Sequence, residues 1–174
     1  AFKGEYGWKK IAAVVPGSDT RQLSVLEGLK KISDKSEFVY IHDAARCLVT
    51  EKNIADVGHA ACFHGAAFAA RRASETIRIE DNQKMSTLDR SKIWLAQTPQ
   101  VFMTELYRAS AYSALKSNFT ATDDVMLAEA AGFEAVAVDC GGQNMKITDP
   151  YDFAVAEAIL HYRGRGDGGG NGIS

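Results

Sequence analysis

Alternation constrains this chain most: short apolar runs at residues 11–15, 38–41, 66–70 and 135–138 are separated by stretches whose apolar residues recur at helical spacing. Consecutive strands that point the same way need a crossover, and a helix supplies it. The pattern therefore predicts an α/β domain with a mostly parallel sheet. With 46% hydrophobic residues, the 174-residue chain has enough apolar material for one packed core.

The run at 11–15 stops at Pro16-Gly17-Ser18-Asp19, which reads as a buried strand ending in a loop suited to phosphate. A helix follows, with Val25, Leu29 and Ile32 as its apolar stripe and Ser24 in its first turn. The run 38–41 ends abruptly in His42-Asp43-Ala44-Ala45-Arg46. Polar chemistry just past the carboxyl end of a strand is where open α/β sheets bind ligands. An alanine-rich helix over 51–63 and a strand over 66–70 come next.

Residues 75–90 break the pattern, because 76–79 and 85–88 alternate apolar and polar around Asp81-Asn82. They predict a protruding β-hairpin, which needs something to pack on, such as a second subunit. Helices are expected from Thr104 and from Thr122, the latter with Asp123 and Asp124 at its positive end and Gly132 as its stop. A Cys140-Gly141-Gly142 loop, an extended piece over 144–147 and a last helix opened by Asp149-Pro150 complete the fold. The glycine-rich residues 163–174 read as a disordered tail, leaving 1–162 as the domain and about 73–92 as its arm.

Several classes are excluded or disfavoured. The 20 basic residues are balanced by 22 acidic ones, so a net charge of −2 offers no footprint for nucleic acid or an anionic membrane. No apolar run approaches the roughly 18 residues of a membrane span. Cys47, Cys62 and Cys140 are an odd set without metal-ligand spacing and suit the reducing cytoplasm. The four histidines, His42, His59, His64 and His161, show no ligand spacing either.

Asp43 and Arg46 straddle two alanines, so a ligand can approach the backbone while a carboxylate and a guanidinium face it. A surface ion pair or a helix cap fits the same residues. Lys146 follows a double-glycine loop, where it is either a phosphate partner or an ordinary solvated lysine. Thr76 and Arg90 stand at the two ends of the hairpin and meet at its base, as a phosphate grip or with no function.

Taken together, residues 21–29, 42–46, 75–78, 97–102, 122–124 and 144–152 resemble, in order and approximate spacing, the 2-C-methyl-D-erythritol 4-phosphate cytidylyltransferase family. Gln97-Thr98-Pro99-Gln100 and residues 144–148 are shared with ribitol-5-phosphate cytidylyltransferase, whereas 42–46, 75–78 and 122–124 favour the methylerythritol branch. The resemblance implies a Rossmann-like, mostly parallel sheet of the nucleotidyltransferase (glycosyltransferase-A-like) type with a hairpin arm. It also implies cytidylyl transfer from CTP to a sugar-alcohol phosphate in isoprenoid precursor biosynthesis, with Mg²⁺ carried by CTP and pyrophosphate released.

Carried over residue by residue, the resemblance makes Arg90 and Lys146 catalytic, aiming the acceptor phosphate, with Thr76 supporting Arg90. Asp43, Arg46 and Thr98 would line the acceptor pocket, and Ser18, Asp19, Ser24 and Ala44 would meet the nucleotide. The arm would swap across a two-fold axis in a homodimer. Cys47, Glu75 and Arg78 replace the family's proline, aspartate and lysine, and Arg71-Arg72-Ala73 replaces its apolar-proline approach to the arm. The family's opening strand, glycine-rich loop, arginine and lysine have no counterpart in residues 1–174. The expectation is a first βα segment missing from this chain and low or no activity without that electrostatic clamp. A ribitol-phosphate enzyme or a non-catalytic dimerising module that binds nucleotide or sugar phosphate remains the alternative.

Overall fold

The structure is a computed structural model that describes residues 7–166, with side chains through residue 164. Helix α1 (Arg21–Leu29) opens the ordered core, with the Thr20 side chain accepting from the Leu23 amide as its N-cap. It is followed by β1 (Phe38–Ile41), α2 (Glu51–His64), β2 (Ala66–Arg72) and the hairpin β3 (Arg78–Asp81) and β4 (Lys84–Thr87). A 3-10 turn (Arg90–Lys92) leads into β5 (Trp94–Met103), and then come α3 (Thr104–Lys116), α4 (Asp124–Ala130), β6 (Val136–Asp139) and α5 (Pro150–Gly166).

The main sheet has the order β1-β5-β2-β6. Because β5 is antiparallel to both β1 and β2 while β6 is parallel to β2, three of the four strands point one way and β5 runs against them. The period-2 alternation sorts side chains onto two faces. Val39, Ile41, Ala66 and Phe102 pack with Leu26, Leu29, Tyr107, Val125 and Leu127 under α1, α3 and α4. Ala67, Ala69 and Val101 face Val57 and Ala61 of α2. Alanines dominate β2 because α2 lies close against it. That helix is fixed at both ends, by a Thr50–Asn53 capping box and by Gly65 in the left-handed region at φ 82°.

Several expectations are corrected. Residues 11–15 form no strand, and Val14 is 82% exposed, because no neighbouring strand among the described residues pairs with this run. The ten-residue strand β5 was not expected, since Pro99 and the polar residues around it break the alternation that marks a strand. Between Phe68 and Ala70 of β2, its partner β5 runs from Gln100 back to Ala96, so two extra residues bow out of the ladder there. Residues 144–147, expected as an extended piece, belong to no strand among the described residues, and the Ile147 amide donates instead to the Ala45 carbonyl at 2.8 Å. Helix α4 begins at Asp124 with Asp123 as its cap, two residues later than expected. The hairpin turns at Asn82-Gln83, one residue later than expected.

Helix α5 continues through Gly166 instead of ending at residue 162. Arg163 is tied to the Leu48 carbonyl at 2.8 Å and to Gln143 Oε1 at 3.1 Å, and this anchorage overrides the low helix propensity of the flanking glycines. The remainder of the expected tail, 167–174, lies outside the described residues. Among the described residues no helix is long and apolar enough to cross a membrane, and the three cysteines are free.

Candidate functional site

Strand β1 delivers its buried Ile41 to the sheet and then turns sharply. The Arg46 amide donates to the Asp43 carbonyl at 2.9 Å, closing a turn that puts the Asp43 and Arg46 side chains on one side. His42 clips the turn from outside, with Nε2 3.1 Å from the Arg46 carbonyl and Nδ1 2.9 Å from Thr98 Oγ1. Since a carbonyl only accepts, the ring proton sits on Nε2 and the Thr98 hydroxyl donates to Nδ1. Thr98 Oγ1 in turn accepts from the Asp43 amide at 3.0 Å.

The segment after β6 docks on this turn. The Ile147 amide donates to the Ala45 carbonyl at 2.8 Å, and Arg46 Nη1 donates to the Asn144 carbonyl at 2.9 Å. Asn144, 1% exposed, donates to the Thr98 carbonyl at 2.8 Å and to Gln97 Oε1 at 3.2 Å. Lys146 is thereby aimed at Asp43, with Nζ 3.2 Å from Oδ2. Arg21, at the start of α1, places Nε 3.4 Å from Asp43 Oδ1 and Nη2 2.7 Å from Asp124 Oδ2.

Asp124 is fully buried, yet its charge is matched by Arg21 and by the Tyr107 hydroxyl, which donates to Oδ1. Gln100 organises the same helix start: Oε1 accepts from the Asp124 and Val125 amides, and Nε2 donates to Asp123 Oδ2 at 2.8 Å. The polar residues of β5 are thus structural clamps for both walls of the cleft.

Asp43 therefore sits among Arg21, Arg46 and Lys146, of which Arg21 is shared with Asp124. Burial pushes its carboxyl up, but the Lys146 ammonium and the Arg21 guanidinium outweigh burial and hold it below the usual range. Burial lowers the Arg46 guanidinium, with Asp43 opposing. At Arg21 burial is overcome by Asp124 and the pKa is raised. Burial first, then the Asp124 charge, raises the Tyr107 phenol far above its ordinary value. Arg46 Nε is buried without a hydrogen bond, at 3.6 Å from Asp43 Oδ2.

These groups line a cleft of about 270 Å³ with Gln97, Thr98, Gln100, Thr122 and Asp123. Of the site residues expected from sequence, Asp43, Arg46, Thr98 and Lys146 converge there. Ser18, Asp19, Ser24 and Ala44 do not line it. Ser24 Oγ accepts from the Ser18 amide at 2.8 Å and donates to the Thr20 carbonyl at 2.9 Å, while Asp19 and Ala44 are exposed. Thr76 and Arg90 are exposed at the base of the hairpin, away from this cleft. Arg90 Nη1 donates to the Ser74 carbonyl at 2.8 Å. Sequence reading gave no site role to Arg21, Gln97, Gln100, Asn144 or the Asp123-Asp124 pair. All lie in the segments that carried the family resemblance, but their convergence is a property of the fold.

A sheet with one reversed strand, and a cation-rich cleft at the carboxyl ends of the others, define an α/β nucleotidyltransferase architecture. The family model described as IspD, 2-C-methyl-D-erythritol 4-phosphate cytidylyltransferase, matches residues 4–162. The chain belongs to this family. It is 39% identical over 158 residues to the 2-C-methyl-D-erythritol 4-phosphate cytidylyltransferase of Caldanaerobacter subterraneus subsp. tengcongensis, covering 90% of this chain and 70% of the relative. It is 41% identical over 157 residues to that of Syntrophus aciditrophicus, covering 89% and 67%. The crystal structure of 4-diphosphocytidyl-2C-methyl-D-erythritol synthase from Anaerococcus prevotii superposes with a TM-score of 0.80 at 33% identity, covering 84% of this chain and 69% of that one.

Proposed function

We propose that the cleft around Asp43 is the acceptor side of a cytidylyl-transfer site, in which the phosphate of 2-C-methyl-D-erythritol 4-phosphate attacks CTP and pyrophosphate leaves. Family membership supports CTP-dependent cytidylyl transfer in isoprenoid biosynthesis. The observation that carries the assignment to this cleft is its charge: Arg21, Arg46 and Lys146 surround one carboxylate. An incoming phosphate meets Arg46 and Lys146 there, two cations that share the carboxylate of Asp43. Asp43, with Thr122 nearby, is placed to accept hydrogen bonds from the acceptor's hydroxyls. The reaction needs positioning and charge neutralisation, with no covalent intermediate on the protein.

In the same proposal Lys146 and Arg90 aim the attacking phosphate, and Ser18, Asp19, Ser24 and Ala44 lie on the nucleotide's side. The exposed hairpin supports a homodimer in which Thr76 and Arg90 enter the partner's site, and the surroundings would be cytoplasmic. The carboxylates described do not fit a metal held by protein alone. Among the described residues no group of three or more His, Cys, Asp or Glu could hold one, Asp43 faces three cations, and Asp123 caps α4. A divalent cation belongs instead with the triphosphate.

Pyrophosphate release from CTP by the full-length protein, with each of two acceptors, tests the proposal. Turnover with 2-C-methyl-D-erythritol 4-phosphate, and a loss of roughly 10²–10³-fold in Lys146→Ala, is expected. Preference for ribitol 5-phosphate would replace the acceptor. Binding of the sugar phosphate that Lys146→Ala and Arg46→Ala leave unchanged would remove the site from this cleft.

A further inference from the structure

Two basins meet at Arg46 and Lys146. The first, described above, holds Asp43, Thr98, Thr122 and Asp123, groups suited to hydroxyls. The second has a volume of about 440 Å³ and shares Arg46, Ala96, Gln97 and Lys146 with the first, but its remaining lining includes Arg71 and no acid. One side of the cleft thus favours a polyol and the other an anion.

Arg71 is the last residue but one of β2, paired with Leu95, on the sheet face that carries Ala67 and Ala69. Its neighbour Arg72 is fully employed: the guanidinium stacks 3.7 Å over Trp94 and donates to the Ser91 carbonyl at 2.7 Å. The Arg71 guanidinium has no ion pair or hydrogen bond among the described residues. Lys146 and Arg46 each share Asp43, so Arg71 is the cation in the cleft without a countercharge. A half-buried guanidinium lining an acid-free basin gains most from a planar or tetrahedral oxyanion, which it can grip through two N–H groups.

We propose that Arg71 recognises the acceptor's phosphate: the second basin takes the phosphate, with Arg71 as a third cation beside Arg46 and Lys146, and the first basin takes the hydroxyl-bearing carbons. This rests on the reading of the cleft as the acceptor site. It orients the acceptor, and it gives a recognition role to the arginine that stands where the family's approach to the arm is apolar.

Calorimetric titration of the protein with 2-C-methyl-D-erythritol 4-phosphate and with the unphosphorylated polyol tests it, with thermal melts of each variant. Arg71→Ala should weaken the phosphorylated ligand about tenfold, flatten the salt dependence of its binding and leave the melt and the polyol's binding as in the parent. Arg71→Lys should recover part of the loss, because the charge returns without the fork. Phosphate-ligand affinity unchanged in Arg71→Ala, while Lys146→Ala loses it, would overturn the role of Arg71 and leave the cleft as the acceptor site. Equal weakening of both ligands, or a lowered melt that Arg71→Lys does not restore, would make Arg71 structural. A parent protein that does not bind the phosphorylated ligand would overturn both readings.

Discussion

Asp43 holds together groups that would otherwise repel, since the cationic ends of Arg21, Arg46 and Lys146 all lie within 3.6 Å of its oxygens. Its carboxyl is held below the usual range, so the folded state binds its proton less tightly than the unfolded chain. The linkage sign follows: Asp43 contributes stability above its unfolded value near ~3.9, and the contribution fades as pH falls through the lower folded value. Asp43→Asn should therefore be less stable than the parent at neutral pH, with the gap narrowing as the solution is acidified below the usual carboxylate range. Chemical denaturation across that range measures it, and a gap that is constant with pH would show that the ion cluster is not the source.

At the scale of elements, the start of α4 is built by residues from three others: Gln100 of β5, Arg21 of α1 and Tyr107 of α3. Tyr107 is 1% exposed and donates to a buried carboxylate, so Tyr107→Phe should cost about 1.5–3 kcal/mol, the range for a hydrogen bond to a charged group. Urea unfolding reads this directly, and a cost near zero would mean that Arg21 alone satisfies Asp124. Elements with a local signature were legible in the sequence: β1 falls on the expected residues, and the helix expected from Thr104 starts there. The apolar run at 11–15 carried the same signature and failed, because a strand exists only with a partner, which a local pattern does not report. Strand β5 went unseen for the opposite reason, its buried glutamines and threonine being satisfied by partners 23 to 56 residues away. The site divides in the same way. Asp43 and Arg46 announce themselves at a strand end, whereas Arg21 joins them only through the packing of α1 against the sheet.

At the scale of the whole molecule, the expected catalytic pair is split. Lys146 lies in the cleft, but Arg90 is exposed at the foot of a hairpin whose strands β3 and β4 are exposed throughout and, among the described residues, pair only with each other. An isolated two-stranded ribbon is marginal in water, and Ile79 and Met85 expose 46% and 57% of their surface on it. A second copy that covers the ribbon would bury those side chains and carry Arg90 towards a cleft that already contains Lys146. Complementation distinguishes this arrangement from one within a single chain. A heterodimer of Arg90→Ala with Lys146→Ala holds one site with both residues intact if the arm works across the interface, and none if it works within its own subunit. Purified heterodimers of the full-length protein should therefore recover about half the activity of the parent dimer, while each mutant homodimer stays low. Tandem-tagged purification followed by the pyrophosphate assay gives the number, and heterodimers no more active than either homodimer would place Arg90 in its own subunit's chemistry or outside it altogether.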